Sequence, residues 1–169
     1  PWGASGLNFN LIRYADILLL KAEAIIETST AEDDLLTARN LINQVREKAK
    51  RSVDTNYTPV DINPAKANYK VESYTDSTCT WTQEYARLAV RHERRVELAM
   101  EGHRWFDLVR WEGVDGQGLK AHMDAYKATE SADAQMHIQE FVAGKHEIFP
   151  IPQEEIHLNP TPMKQNNGY

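Results

Sequence analysis

The sequence predicts an all-α fold, and three stretches carry that prediction. Leu11, Ala15, Leu18, Ala22 and Ile25 recur at spacings of three and four, with Ile12, Leu19 and Ile26 widening the stripe. Leu35, Ala38, Ile42, Val45 and Ala49 repeat the period, and residues 85–101 do so again among a dense run of Arg and Glu. Such spacing gathers side chains on one face of a helix, whereas a strand would need alternation.

In chain order, the first helix covers about residues 11–27. Thr30-Ala31-Glu32-Asp33 has the form of a capping box, in which a hydroxyl and an acid three residues on satisfy open backbone N–H groups. A second helix therefore starts there and runs to about residue 51. Few residues join the two, so residues 11–51 are expected to form an antiparallel pair. From 52 to 81 the pattern dissolves into Asn, Asp, Thr and Ser with two prolines, which reads as a long irregular loop. Loops longer than ~15 residues in compact domains tend to be functional or disordered.

Residues 82–112 read as central helices. The first would turn Tyr85, Leu88, Ala89, His92, Val96, Ala99 and Met100 inward and leave Arg87, Arg91, Arg94, Glu97 and Glu101 on the other side, ending near Gly102. In the next, Trp105, Phe106, Leu108, Val109 and Trp111 spread around the wheel, so Trp105 and Trp111 are assigned to the core. Arg104, Asp107 and Arg110 among them should be paired, because a lone buried charge is costly. Residues 113–169 follow as a glycine-rich break (Gly113, Gly116, Gly118), a helix over about 119–132, an extended proline segment and a tail. Ile138, Glu140 and Val142, with 147–151, read as short extended pieces; Pro152 opens a helical turn or two, and residues 165–169 are turn-formers.

At 169 residues and 41% apolar content, one domain over 1–169 is the simplest count. A net charge of -6 offers no broad basic footprint, so nucleic acid is not an expected partner. The single Cys79 excludes an intrachain disulfide framework and a CxxC site. No apolar run approaches the roughly 20 residues a membrane helix needs. The start, Pro1-Trp2-Gly3, has neither an initiator Met nor a signal region and reads as a cut end, with any targeting signal upstream.

Catalytic motifs fail on inspection. His92-Glu93 opens like the zinc motif HExxH, but position 96 is Val. Glu154 and His157 make one Glu-x-x-His, where a di-iron bundle needs two. No nucleophile elbow, Walker sequence or dinucleotide fingerprint is present, so no metal, cofactor or catalytic residue is expected and the chain is read as no enzyme. The Arg and Glu run suits either an anionic ligand or a ladder of solvated and interhelical ion pairs such as Arg94 with Glu97, and the ladder is favoured. Tyr57, Tyr74 and Trp81 sit among polar neighbours in the loop, the combination that sugar rings require, and are the candidate ligand-binding residues.

Three blocks carry a resemblance to a known family: Leu11-Ile12-Arg13-Tyr14-Ala15-Asp16-Ile17-Leu18-Leu19-Leu20-Lys21-Ala22-Glu23-Ala24, then residues 93–111 from Glu93-Arg94-Arg95 to Val109-Arg110-Trp111, then Phe149-Pro150-Ile151-Pro152-Gln153-Glu154-Glu155-Ile156 and the tail. In this order they resemble the SusD/RagB family of outer-membrane nutrient-binding lipoproteins of Bacteroidetes. Asn10 and Asn167 stand where that family commonly has Pro. The resemblance implies tetratricopeptide-like helix pairs with long irregular loops, residues 11–51 being one pair and the chain the C-terminal portion of a larger helical fold. It further implies a non-enzymatic surface lipoprotein of the cell outer membrane, anchored upstream. Such a protein binds an oligosaccharide or polysaccharide and delivers it to a TonB-dependent, SusC-like transporter. In the family these blocks are scaffold, and no binding residue is carried over. The alternative is a tetratricopeptide-like protein-interaction module without sugar binding.

Overall fold

The computed structural model describes residues 11–54 and 70–169, with seven helices and no strand among them. The helices are α1 (Tyr14–Thr28), α2 (Glu32–Asp54), α3 (Gln83–Glu97), α4 (His103–Asp115), α5 (Leu119–Thr129), α6 (Ala132–His137) and α7 (Gln153–Leu158). The chain divides into two compact units, Pro1–Ala99 and Met100–Tyr169. No helix among the described residues is long and apolar enough to cross a membrane.

In the first unit α1 and α2 form the expected pair. Ala15, Leu18, Leu19, Ala22 and Ile26 are buried with Leu35, Ala38, Leu41, Ile42 and Val45 in one core. α1 starts later than the stripe suggests: Arg13 is extended (φ -108°, ψ 149°), and Leu11 and Ile12 are exposed. Arg13 is held there by Glu97, donating from Nη1 to the carboxylate at 2.8 Å and from Nη2 to the backbone carbonyl at 2.7 Å. The start of α2 is one residue out of the predicted register. Leu35 N–H donates to the carbonyl of Ala31, and the hydroxyl of Ser29 reaches Asp34 at 2.6 Å while accepting from Ala31 N–H.

α3 reverses the predicted orientation. Arg91, Glu93 and Arg94 are buried beside Ala86, Ala89 and Val90, while Leu88, Val96 and Met100 face solvent, as do His92 and Ala99. The cause lies in the helices it packs on. α1 presents Asp16, Glu23 and Glu27 and α2 presents Arg46, so the charged side of α3 is the complementary one. Arg94 Nη1 meets Asp16 at 2.7 Å, Arg87 forks onto both carboxylate oxygens of Glu27 at 2.7 Å each, and Arg46 meets Glu93 at 2.8 Å. The favoured ion-pair ladder therefore exists and is interhelical as expected, but it is largely buried rather than solvated, and Arg94 takes Asp16 rather than Glu97.

In the second unit Leu108, Trp111, Leu119 and Phe141 form the core with Val109 and Met123 against it. Buried Asp107 accepts from Arg110 at 3.0 Å, and the guanidinium groups of Arg104 and Arg110 lie over the Trp111 ring at 5.6 and 5.3 Å. The expected pairing of charges among aromatics is thus present. Trp105 and Phe106 depart from expectation: they are 41% and 71% exposed, because α4 buries only the side carrying Asp107, Leu108 and Trp111. The glycine break starts later than predicted, after Asp115, and Gly118 crosses α4 so closely that a Cβ there would run into the backbone of Glu112.

The single helix predicted over 119–132 is two. Glu130 is extended, and Ser131 starts α6 by accepting from Ala134 N–H. Residues 138–142 and 147–151 form no strand; Ile138 closes α6 and Phe141 joins the core. Pro152 precedes α7 as predicted. The tail clamps the segment before it: the Gln165 side chain bonds both backbone groups of Ile151 (2.8 and 2.9 Å), Asn166 donates to Phe149 O, and the Tyr169 hydroxyl donates to Ile148 O.

Candidate functional site

Of the three aromatic candidates, Tyr57 lies outside the described residues, and the structure brings Tyr74 and Trp81 together. Residues 72–76 are zipped along one face of α2. Arg39, Asn43, Arg46 and Lys50, at spacings of four, three and four, meet Asp76 (2.5 Å), Tyr74, Glu72 O (2.6 Å) and the Glu72 carboxylate (2.8 Å). Asn43 acts as a surrogate backbone: its amide donates to Tyr74 O at 2.9 Å and its carbonyl accepts from Tyr74 N–H at 2.8 Å. Glu47 adds a bond from the Ser73 hydroxyl. A turn follows, with Thr78 N–H and Cys79 N–H both donating to Thr75 O, and returns the chain toward Trp81.

The rings of Tyr74, Trp81 and Tyr85 then meet as a triad. Centroids lie 5.3 Å apart for Tyr74 and Trp81, 5.7 Å for Trp81 and Tyr85, and 6.1 Å for Tyr74 and Tyr85, the last two pairs edge to face. Such geometry suits the ring quadrupoles. Arg46 lies over the Tyr74 ring at 4.5 Å and Arg39 over Trp81 at 5.9 Å. Trp81 Nε1 donates to Leu35 O at 2.8 Å, and Tyr74 and Trp81 pack on the helix-pair core. Burial pushes the Tyr74 hydroxyl above its ordinary value of 10.0, against the opposing pull of Arg46.

Chemically this is a half-buried aromatic face with guanidinium groups beside it, apt for contact with a neutral polar ring or an anion. Tyr85, which the wheel argument turned into the core, is the most exposed of the three rings at 37%. Its membership, and that of Arg39 and Arg46, went unread in the sequence. The signal available for it was the polar series 39, 43, 46, 50, helically spaced on the side of α2 away from its apolar stripe. Among the described residues no group of three His, Cys, Asp or Glu side chains is arranged to hold a metal ion.

A family model described as the SusD family matches residues 3–169. The chain is 34% identical over 103 residues to the SusD-like protein P38 of Formosa agariphila, covering 61% of this chain and 17% of that protein. It is 27% identical over 165 residues to the SusD-like protein P2 of the same organism, covering 98% of this chain and 26% of that protein. The chain thus spans about a quarter, or less, of the length of these relatives.

Proposed function

This chain belongs to the SusD family, and from that premise we propose that it is part of a non-enzymatic protein that binds carbohydrate for nutrient uptake. In this reading the protein sits at the outer membrane as a surface lipoprotein and passes an oligosaccharide or polysaccharide to a TonB-dependent, SusC-like transporter. The observation that carries the reading is the family match, which runs through both compact units and includes all seven helices.

The residues support a scaffold role for the piece in hand. Its first unit is held by a pair of helices and an interior ladder of ion pairs, the kind of rigid support on which binding loops are mounted. Within it, Tyr74 and Trp81, with Tyr85 beside them, are the aromatic surface we propose for contact with sugar. Stacking needs an exposed ring face; the backbone clasped by Asn43 holds Tyr74 in place, and the bond to Leu35 O holds Trp81. Electrophoresis of the natural-length protein through gels containing dissolved polysaccharides tests the reading. Retardation by at least one glycan, together with co-purification of an outer-membrane transporter, is expected; mobility unchanged in every glycan gel would overturn it.

A further inference from the structure

The side chains of Gln165, Asn166 and Tyr169 fasten the tail to residues 148–151, and Asn167 and Gly168 bridge the last two fastenings. That bridge is a turn: Tyr169 N–H donates to Asn166 O at 3.3 Å, and Gly168, at its third position, holds φ 87°. Asn167 is exposed, and among the described residues no hydrogen bond engages its side-chain amide or the Gly168 N–H. We propose that Asn167 is a site of spontaneous covalent modification by water: it deamidates through a cyclic imide formed with Gly168, and the isoaspartate that results unfastens the tail from residues 148–151.

In the first step the Gly168 backbone nitrogen gives up its proton and attacks Cγ of Asn167. A C–N bond closes the five-membered imide, the Cγ–Nδ2 bond breaks, and the amide nitrogen takes a proton and leaves as ammonia. Water then opens the ring at one carbonyl or the other, giving aspartate or isoaspartate. One water is consumed and one ammonia released, with no change of oxidation state. Three observations favour this site. Gly168 has no side chain to shield its nitrogen, and the fold holds glycine there: φ 87° is left-handed, and a Cβ would press on the Lys145 stem. Neither reacting group has a hydrogen bond to break first. Lys145 packs its stem on Gly168 and sets its ammonium 4.7 Å from the Tyr169 ring centre, so a positive charge stands beside the turn in which a backbone nitrogen must ionise. Isoaspartate routes the backbone through Cβ and adds one atom between Asn166 and Tyr169, whose bonds to Phe149 O and Ile148 O fix the span at its present length.

The test ages the natural-length protein, folded, in mildly alkaline buffer and follows residue 167 by peptide mass spectrometry with fragmentation that separates isoaspartate from aspartate. Isoaspartate should accumulate at 167 while Asn159 and Asn166 stay amides. Hydrogen exchange of the Ile151 N–H, which Gln165 holds at 2.8 Å, should then run about fivefold or more faster in aged than in fresh protein. Asn167→Gln should neither deamidate nor lose that protection on ageing. Asn167→Asp carries the new charge without the extra backbone atom and should exchange like fresh parent. An amide that persists at 167 in the folded protein while a denatured sample deamidates would overturn the proposal. So would isoaspartate with unchanged exchange at Ile151, or an Asn167→Asp variant that exchanges as fast as aged parent.

Discussion

Arg94 and Asp16 meet 2.7 Å apart in the interior of the first unit, with only 3% and 9% of their side chains exposed. They join α3 to α1 across 78 residues of sequence, and Glu23 stands 3.9 Å from the same guanidinium. Removing one member of a buried ion pair strands the other, which costs about 3–5 kcal/mol. Arg94→Ala should lose stability on that scale in denaturant unfolding, and adding Asp16→Asn should restore part of it. Unfolding at the parent midpoint would show that the pair contributes nothing to the docking of α3.

The Trp81 side chain anchors the segment after the turn. Trp81→Phe keeps a ring but removes the donor to Leu35 O, at a cost of about 1 kcal/mol. Trp81→Ala also removes the ring contacts and should cost about 3–5 kcal/mol. Thermal unfolding of the two variants checks the order. If both melt like the parent, Trp81 is not part of the core face described here.

Tyr74 gives a pH dependence with a defined sign. Burial raises its hydroxyl above 10.0, so the folded state holds that proton more tightly than the unfolded chain. Its stabilising contribution is complete below pH 10 and is lost as the pH climbs through the raised value. Tyr74→Phe should therefore flatten the fall in stability above pH 10. A slope identical to that of the parent would show the hydroxyl to be as solvated as in a peptide.

Met100 holds a left-handed backbone (φ 67°) with its side chain fully exposed. A side chain in that region costs about 1–2 kcal/mol, which glycine avoids, less the roughly 0.5–1 kcal/mol of added freedom glycine gives the unfolded chain. Met100→Gly should leave stability unchanged or raise it by about 1 kcal/mol in equilibrium unfolding. A clear loss would mean the Met100 side chain is used in packing.

What was legible in the sequence follows from what periodicity can encode. The density of Arg and Glu announced a ladder of ion pairs but not its partners; the α1 and α2 cores came through because apolar residues met apolar residues, and Pro152 came through because local chemistry suffices for it. The orientation of α3 did not, since a wheel reports two unlike faces without reporting what waits opposite: here Asp16, Glu23, Glu27 and Arg46, all distant in sequence. Trp105 was misplaced for a related reason, as composition around a short helix says nothing of how many sides are covered. Among the site candidates, the pairing of Tyr74 with Trp81 depends on Asn43, Arg46 and Leu35 clasping a segment with no period of its own.

The most direct measurement of the central claim is titration calorimetry of the natural-length protein against a panel of oligosaccharides, with the variant carrying both Tyr74→Ala and Trp81→Ala run alongside. Saturable heat with at least one glycan is predicted, weakened in the variant by about 1–3 kcal/mol, the scale of one large apolar side chain. Absence of heat with every glycan, alongside saturable binding to a peptide partner, would contradict the account and establish the helix pair as a protein-interaction module instead.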